Sequence, residues 1–195
     1  MLYEAQFRNP AGAGKLIQAI RDMDLPELWI MEICGTHTMS IAKAGLRQIL
    51  PPHIHLISGP GCPVCVTPSG VMDEVLRISQ LPNVTITTYG DLLRVPGSVP
   101  GDNLQRRSAQ GADVRMVYSP MDSLDMAEQE PDREFIFLGV GFETTAPGTA
   151  IAVQEAKARG RKNFSLLSLL KRTEPAMRAI IESDDFNVSG FLCPG

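Results

Sequence analysis

The chain has 195 residues, of which 44% are hydrophobic and 21% charged, close to the average of soluble folded proteins. That excludes a disordered tail, a collagenous repeat and a coiled coil, and the length allows one α/β domain or one plus part of another. With 18 Lys and Arg against 22 Asp and Glu the formal charge is -4. No basic run exceeds two residues, so nucleic acid is not an expected partner. The N-terminus lacks a secretory signal pattern, no apolar stretch reaches the length of a membrane span, and four cysteines are too few for a disulfide scaffold. These features point to a cytoplasmic protein with reduced thiols.

Helix-period and strand-like stretches alternate along the chain, the pattern of a parallel sheet wrapped by helices. A helix is expected from about Gly14 to Met23, then a buried strand from Leu28 to Ile33 that ends at Cys34. One helix from Thr38 to Leu50 follows, stopped by Pro51-Pro52. His53 to Ser58 reads as a second strand, and Gly59-Pro60-Gly61-Cys62-Pro63-Val64-Cys65 as a loop. After a helix to about Ser79, Val84 to Tyr89 is a β-branched strand whose threonines suggest a polar face. A Pro/Gly-rich connection, a helix around Asn103 to Gln110, a strand at Val114 to Tyr118 and a helix from Ser123 to Glu128 complete one doubly wound unit.

The expected boundary lies at Pro131-Asp132-Arg133. Beyond it come strands at Glu134 to Val140 and Phe164 to Leu170, a helix with Pro147 in its first turn, and a helix from Pro175 to Ser183. The chain then stops at Gly190-Phe191-Leu192-Cys193-Pro194-Gly195, a strand-to-loop transition without a covering helix, the expected end of a fragment. The reading is therefore a Rossmann-like α/β fold, parallel sheets flanked by helices, with a first domain over 1–130 and a partial second over 131–195.

In open parallel sheets, functional groups gather outside the carboxyl ends of the strands. Cys34, Cys62, Cys65 and Cys193 all follow expected strands. A helix N-terminus just after Cys34 favours its thiolate, the form that binds soft metals or attacks disulfides. Cys34-Gly35-Thr36-His37 sets an imidazole three residues from that thiol; it reads equally as a ligand pair or as a buried, hydrogen-bonded histidine. Cys62-Pro63-Val64-Cys65 can close a small disulfide or chelate a metal. Together the four groups are also the ligand inventory of a structural Cys3His zinc site. Against zinc, these residues cap long apolar strands in a chain with ample core, not a small loop-rich module.

Gly139-Val140-Gly141-Phe142-Glu143-Thr144 begins like a dinucleotide fingerprint but lacks its third small residue. Glu143 either orients a metal ligand or a neighbouring loop, or complements the dipole at a helix start. His53 and His55 are expected to be structural, and Met39, Met72 and Met177 to be core.

MEICGTHTM at 31–39, SGPGCPVC at 58–65, GDLLRVPGS at 90–98, GADVRMVYSP at 111–120, GFETTAPGTA at 141–150 and GFLCPG at 190–195 together closely resemble the HypD family of hydrogenase maturation proteins. The motifs occur in family order and cover the chain after about residue 25. The resemblance implies a scaffold, not a conventional turnover enzyme, on which the iron of [NiFe]-hydrogenases acquires cyanide and carbon monoxide as Fe(CN)2CO. It implies a HypC-like chaperone that shares the iron and a HypE-like cyanide donor as partners. By the family's motifs Cys34 is the iron thiolate with His37 beside it, Cys62 and Cys65 are a redox-active pair, and Glu143 and Thr144 belong to a cofactor-binding motif near a cleft between the domains. The family's C-terminal region holds a [4Fe-4S] cluster whose ligands are absent from this chain. The competing readings are a thiol-disulfide oxidoreductase using Cys62 and Cys65, and the structural zinc protein.

Overall fold

Every strand pairing among the described residues is parallel, and parallel pairs need long crossovers, so helices separate these strands. The computed structural model describes residues 9–59 and 61–193; Pro60, Pro194 and Gly195, which belong to two of the motifs above, lie outside the described residues, as does most of the N-terminal segment. The architecture is α/β, with two parallel sheets flanked by helices. Two compact units divide the chain: the first takes residues up to Gly61 together with Ala179–Gly195, the second Cys62–Arg178.

In the first unit, α1 (Pro10–Arg21) starts at an Asn9 cap whose side chain accepts from the amides of Ala11 and Gly12. The sheet order is β2 (Ile54–Ser58), β1 (Leu28–Glu32), β7 (Gly190–Leu192), with Glu32 opposite Ser58 on one side and Leu192 on the other. The expected helix from Thr38 to Leu50 is two: α2 (Gly35–Lys43) and α3 (Leu46–Ile49). Gly45 breaks it by taking φ +62°, a left-handed conformation that costs glycine nothing. The redirected chain brings Arg47 back to the strands, where its guanidinium reaches the Leu56 carbonyl at 3.2 Å and the Glu32 carboxylate at 2.9 Å.

In the second unit the sheet order is β4 (Asp113–Met116), β3 (Val84–Thr88), β5 (Glu134–Gly141), β6 (Phe164–Leu170). Around it lie α4 (Ser69–Ile78), a 3-10 turn at Gly90–Arg94, α5 (Leu104–Ala109), α6 (Pro120–Gln129) and α7 (Ala146–Ala158). Met72, Val75 and Leu76 of α4 pack with Ile86, Leu92, Leu104, Leu138, Val140 and Leu169 in one buried cluster. Each such side chain contributes roughly 1.5–3 kcal/mol on burial. α6 begins three residues before the sequence suggests, because Pro120 takes the first helical position and Ser119 with Asp122 forms a capping box. α8 (Thr173–Ile181) leads the chain back to the first unit.

The boundary at 131 does not separate domains: β5 pairs directly with β3, Arg133 donates to Asp113 at 2.7 Å, and β7 returns to β1 of the first unit. The segment 131–195 is thus divided between two sheets begun earlier in the chain. The threonines of β3 also do not form a wet face, since Thr85, Thr87 and Thr88 are all fully buried. Thr87 pairs its hydroxyl with that of Ser123 at 2.6 Å and Thr85 donates to Asp113 at 2.8 Å.

Candidate functional site

In an open parallel sheet the place expected for a site is the carboxyl edge at the switch point, where connections run to opposite sides of one strand. In the first unit that point lies between β1 and β7, followed by Cys34 and Cys193. In the second it lies between β3 and β5, followed by Gly90-Asp91 and by the Gly141–Thr145 turn.

Cys34 is half-buried and stands immediately before α2, as the helix cap. Its side chain makes no capping hydrogen bond of ordinary geometry. The N–H of His37 contributes most, burial opposes it, and the N–H and hydroxyl of Thr36 add to it, so the thiol is held below its ordinary pKa. This is the thiolate-favouring environment expected of a cysteine at a helix N-terminus. His37 sits in the first turn, and its Nδ1 is buried without a hydrogen-bond partner among the described residues. A buried imidazole nitrogen is unfavourable unless a hydrogen-bond partner or a metal ion takes it. Close packing fixes the strand ends alongside: Gly59 donates to the Glu32 carbonyl at 2.8 Å, and a Cβ at Gly59 would stand 2.7 Å from Met31 Cγ.

Cys62 and Cys65 form a tight turn, not a disulfide. The Cys62 carbonyl accepts from the N–H of Cys65 at 2.9 Å and of Val66 at 3.2 Å, and Thr67 locks the turn by donating its hydroxyl to the Pro63 carbonyl at 2.9 Å. Burial, the charge of Cys62 and a hydrogen bond to Cys62 push the Cys65 thiol up. The two sulfurs are therefore neighbours.

Glu143 and Thr144 are exposed. Glu143 does not serve the helix that follows it; both carboxylate oxygens accept from Thr173, the first residue of α8. His55 bonds Glu27 at 3.0 Å and stacks on Trp29, while His53 Nε2 is buried without a partner among the described residues. Met72 is core, but Met39 is 57% exposed, because α2 turns that residue away from the sheet.

Among the described residues no three of His, Cys, Asp and Glu converge on one metal position. Cys34 with His37 belongs to the first unit and Cys62 with Cys65 to the second, so the Cys3His inventory is present as two pairs. No helix among the described residues is long and apolar enough to cross a membrane.

Sequence reading missed Glu32. Its side chain is wholly buried within β1, two residues before Cys34, and accepts from Thr38 and Arg47. The signal was an acidic residue inside the otherwise apolar run Leu28–Ile33.

The family described as HypD, hydrogenase formation hypA family, matches residues 12–195. The hydrogenase maturation factor HypD of Escherichia coli (strain K12) is 44% identical over 203 residues, covering 100% of this chain and 54% of that protein. Its counterparts in Rhodobacter capsulatus and Rhizobium leguminosarum bv. viciae are 43% and 46% identical, again over the whole chain and 53% and 52% of their own lengths. The chain thus spans about half the length of the curated relatives it matches, and with its motifs, their order and this coverage it belongs to the HypD family of hydrogenase maturation factors.

Proposed function

We propose that this chain acts in hydrogenase maturation as a scaffold that takes iron on Cys34 and His37 while the metal acquires cyanide and carbon monoxide. One observation carries the reading: a thiol favoured as thiolate at the start of α2 stands three residues from an imidazole whose buried Nδ1 has no partner among the described residues. Iron here is cargo. Cyanide and carbon monoxide are strong-field ligands that require low-spin Fe(II), and a thiolate anchor suits that ion. A HypC-like chaperone sharing the iron and a HypE-like cyanide donor complete the assembly in this reading, and a cytoplasmic setting keeps the thiols reduced.

Cys62 and Cys65 take the redox part. By thiol–disulfide exchange the pair can be oxidised to a disulfide while a disulfide substrate takes up the two electrons and two protons as two thiols. Glu143 and Thr144 remain candidates for contact with the group being assembled, with Glu143 already bound to Thr173.

Anaerobic co-purification with HypC-like and HypE-like partners, followed by metal analysis and infrared spectroscopy of the cyanide and carbon monoxide stretches, tests the reading. Iron with both kinds of band, lost in Cys34→Ala, is the expected result. Bands that persist in Cys34→Ala, or stoichiometric zinc without bands, would sink it. The adjacency of Cys62 and Cys65 also favours a second reading, disulfide exchange without iron. That activity survives Cys34→Ala and disappears in Cys62→Ser.

A further inference from the structure

Glu32 presents a physical problem that its surroundings solve in a particular way. Its side chain is fully buried, and a carboxylate withdrawn from water is unfavourable unless both oxygens are paired. Both are. Oε2 accepts from the Thr38 hydroxyl at 2.6 Å, and Oε1 from Arg47 Nη2 at 2.9 Å. A leucine at this strand position would fill space without desolvating a charge, so packing alone does not call for an acid.

What the carboxylate holds is specific. Thr38 is the residue after His37 in α2; its N–H donates to the Cys34 carbonyl at 3.2 Å, and its hydroxyl lies 3.5 Å from that same oxygen. Glu32 therefore grips the helical turn that presents both Cys34 and His37. Arg47 in turn anchors Glu32 to β2, donating through Nε to the Leu56 carbonyl at 3.2 Å and approaching Ser58 Oγ at 3.5 Å. The left-handed Gly45 is what brings Arg47 there. Four elements, β1, α2, α3 and β2, meet in one hydrogen-bonded group beneath the candidate site.

We propose that Glu32 is a positioning residue: acting through Thr38, it fixes the first turn of α2 so that Cys34 and His37 are held ready for a divalent iron-group ion. The inference rests on the reading of Cys34 and His37 as the metal-binding pair, and it adds a group that touches neither metal nor substrate. Outer partners that orient metal ligands typically change affinity 10- to 100-fold when removed.

The test uses this chain, purified anaerobically and titrated with Co(II) alone, with the thiolate-to-cobalt absorption that Cys34→Ser lacks as the readout. Thr38→Val keeps side-chain volume and the Glu32–Arg47 pair while leaving Oε2 of Glu32 without a donor. It is expected to weaken that Co(II) site at least about tenfold. It should also lower the hydrogen-exchange protection factor of the residue-38 amide, which donates to the Cys34 carbonyl, at least about tenfold. Thr38→Ser restores both, and Glu32→Ala repeats the loss. Wild-type affinity and wild-type exchange in Thr38→Val would overturn the proposal. If instead Cys34→Ser keeps the full cobalt band, the metal reading fails and takes the metal half of this inference with it; unaccelerated exchange in Thr38→Val then removes the positional half as well.

Discussion

The carboxylate of Glu143 accepts from both the backbone N–H and the hydroxyl of Thr173, at 2.7 and 2.8 Å, across 30 residues of sequence. Thr173 opens α8, so its N–H is one of the donors that a helix leaves without an internal partner. The Thr173 hydroxyl first, then its N–H, with the Glu143 N–H and Arg172 adding, hold the Glu143 carboxyl below the usual carboxylate range. A folded-state pKa below the unfolded one means that the contribution to stability is complete above the ordinary carboxylate pKa, about 4.3, and is lost as pH falls through the lower folded value. The difference in thermal midpoint between wild type and Glu143→Gln should therefore be constant near neutrality and shrink toward zero in acid. A difference independent of pH would mean that the carboxylate charge plays no part in capping α8.

Gly141 makes that capping geometry possible. Its φ is +146°, and a Cβ there would collide with Thr145 Oγ1, which donates to the Phe142 carbonyl at 3.0 Å. Gly141→Ala combines backbone strain with a steric clash and should lower stability by more than about 1 kcal/mol, read from the denaturant midpoint at unchanged m-value. An unchanged midpoint would show that the turn relaxes freely.

β3 offers a paired comparison. Thr87 and Thr88 are adjacent and both fully buried, but Thr87 shares a 2.6 Å hydrogen bond with Ser123, whereas Thr88 Oγ1 has no partner among the described residues. Removing one member of a buried pair leaves the other unsatisfied at a cost of about 1–3 kcal/mol, while removing an already unsatisfied hydroxyl relieves a penalty of similar size. Thr87→Val should destabilise and Thr88→Val should leave stability unchanged or raise it. The same sign for both would refute this account of the buried polar row.

How much of this was legible in the sequence follows from how local each feature is. β6 reads from its own residues over its full observed span, Phe164–Leu170, and the place of Cys34 between strand and helix follows from local pattern alone. The break at Gly45 was obscured because apolar residues continue on both sides at helical spacing, although a glycine in that run was the available sign. The return of β7 to β1 was not legible at all. It pairs Met31 with Phe191 and so depends on which sheet edge remains open, not on any local pattern. The misplaced boundary at 131 has the same origin. Glu32 was visible as an acid in an apolar strand, but its partners, Thr38 and Arg47, become neighbours only after α2 and α3 fold back.

The two thiol environments differ in sign, which gives the most direct chemical check of the site. The helix start lowers the Cys34 pKa, with the His37 N–H the largest cause, whereas burial and the neighbouring Cys62 raise that of Cys65. At any pH below the ordinary thiol range, about 8.5, Cys34 therefore carries the larger thiolate fraction. Access works the other way, since Cys65 is exposed and Cys34 only half-exposed. With limiting iodoacetamide at neutral pH, Cys34 should be modified ahead of Cys65 if thiolate character governs, as peptide mass spectrometry would show. The preference should narrow as pH rises, because Cys65 then loses its proton as well. Faster labelling of Cys65 at neutral pH would mean that exposure outweighs the helix start, and that Cys34 lacks the thiolate character on which its role as a metal anchor depends.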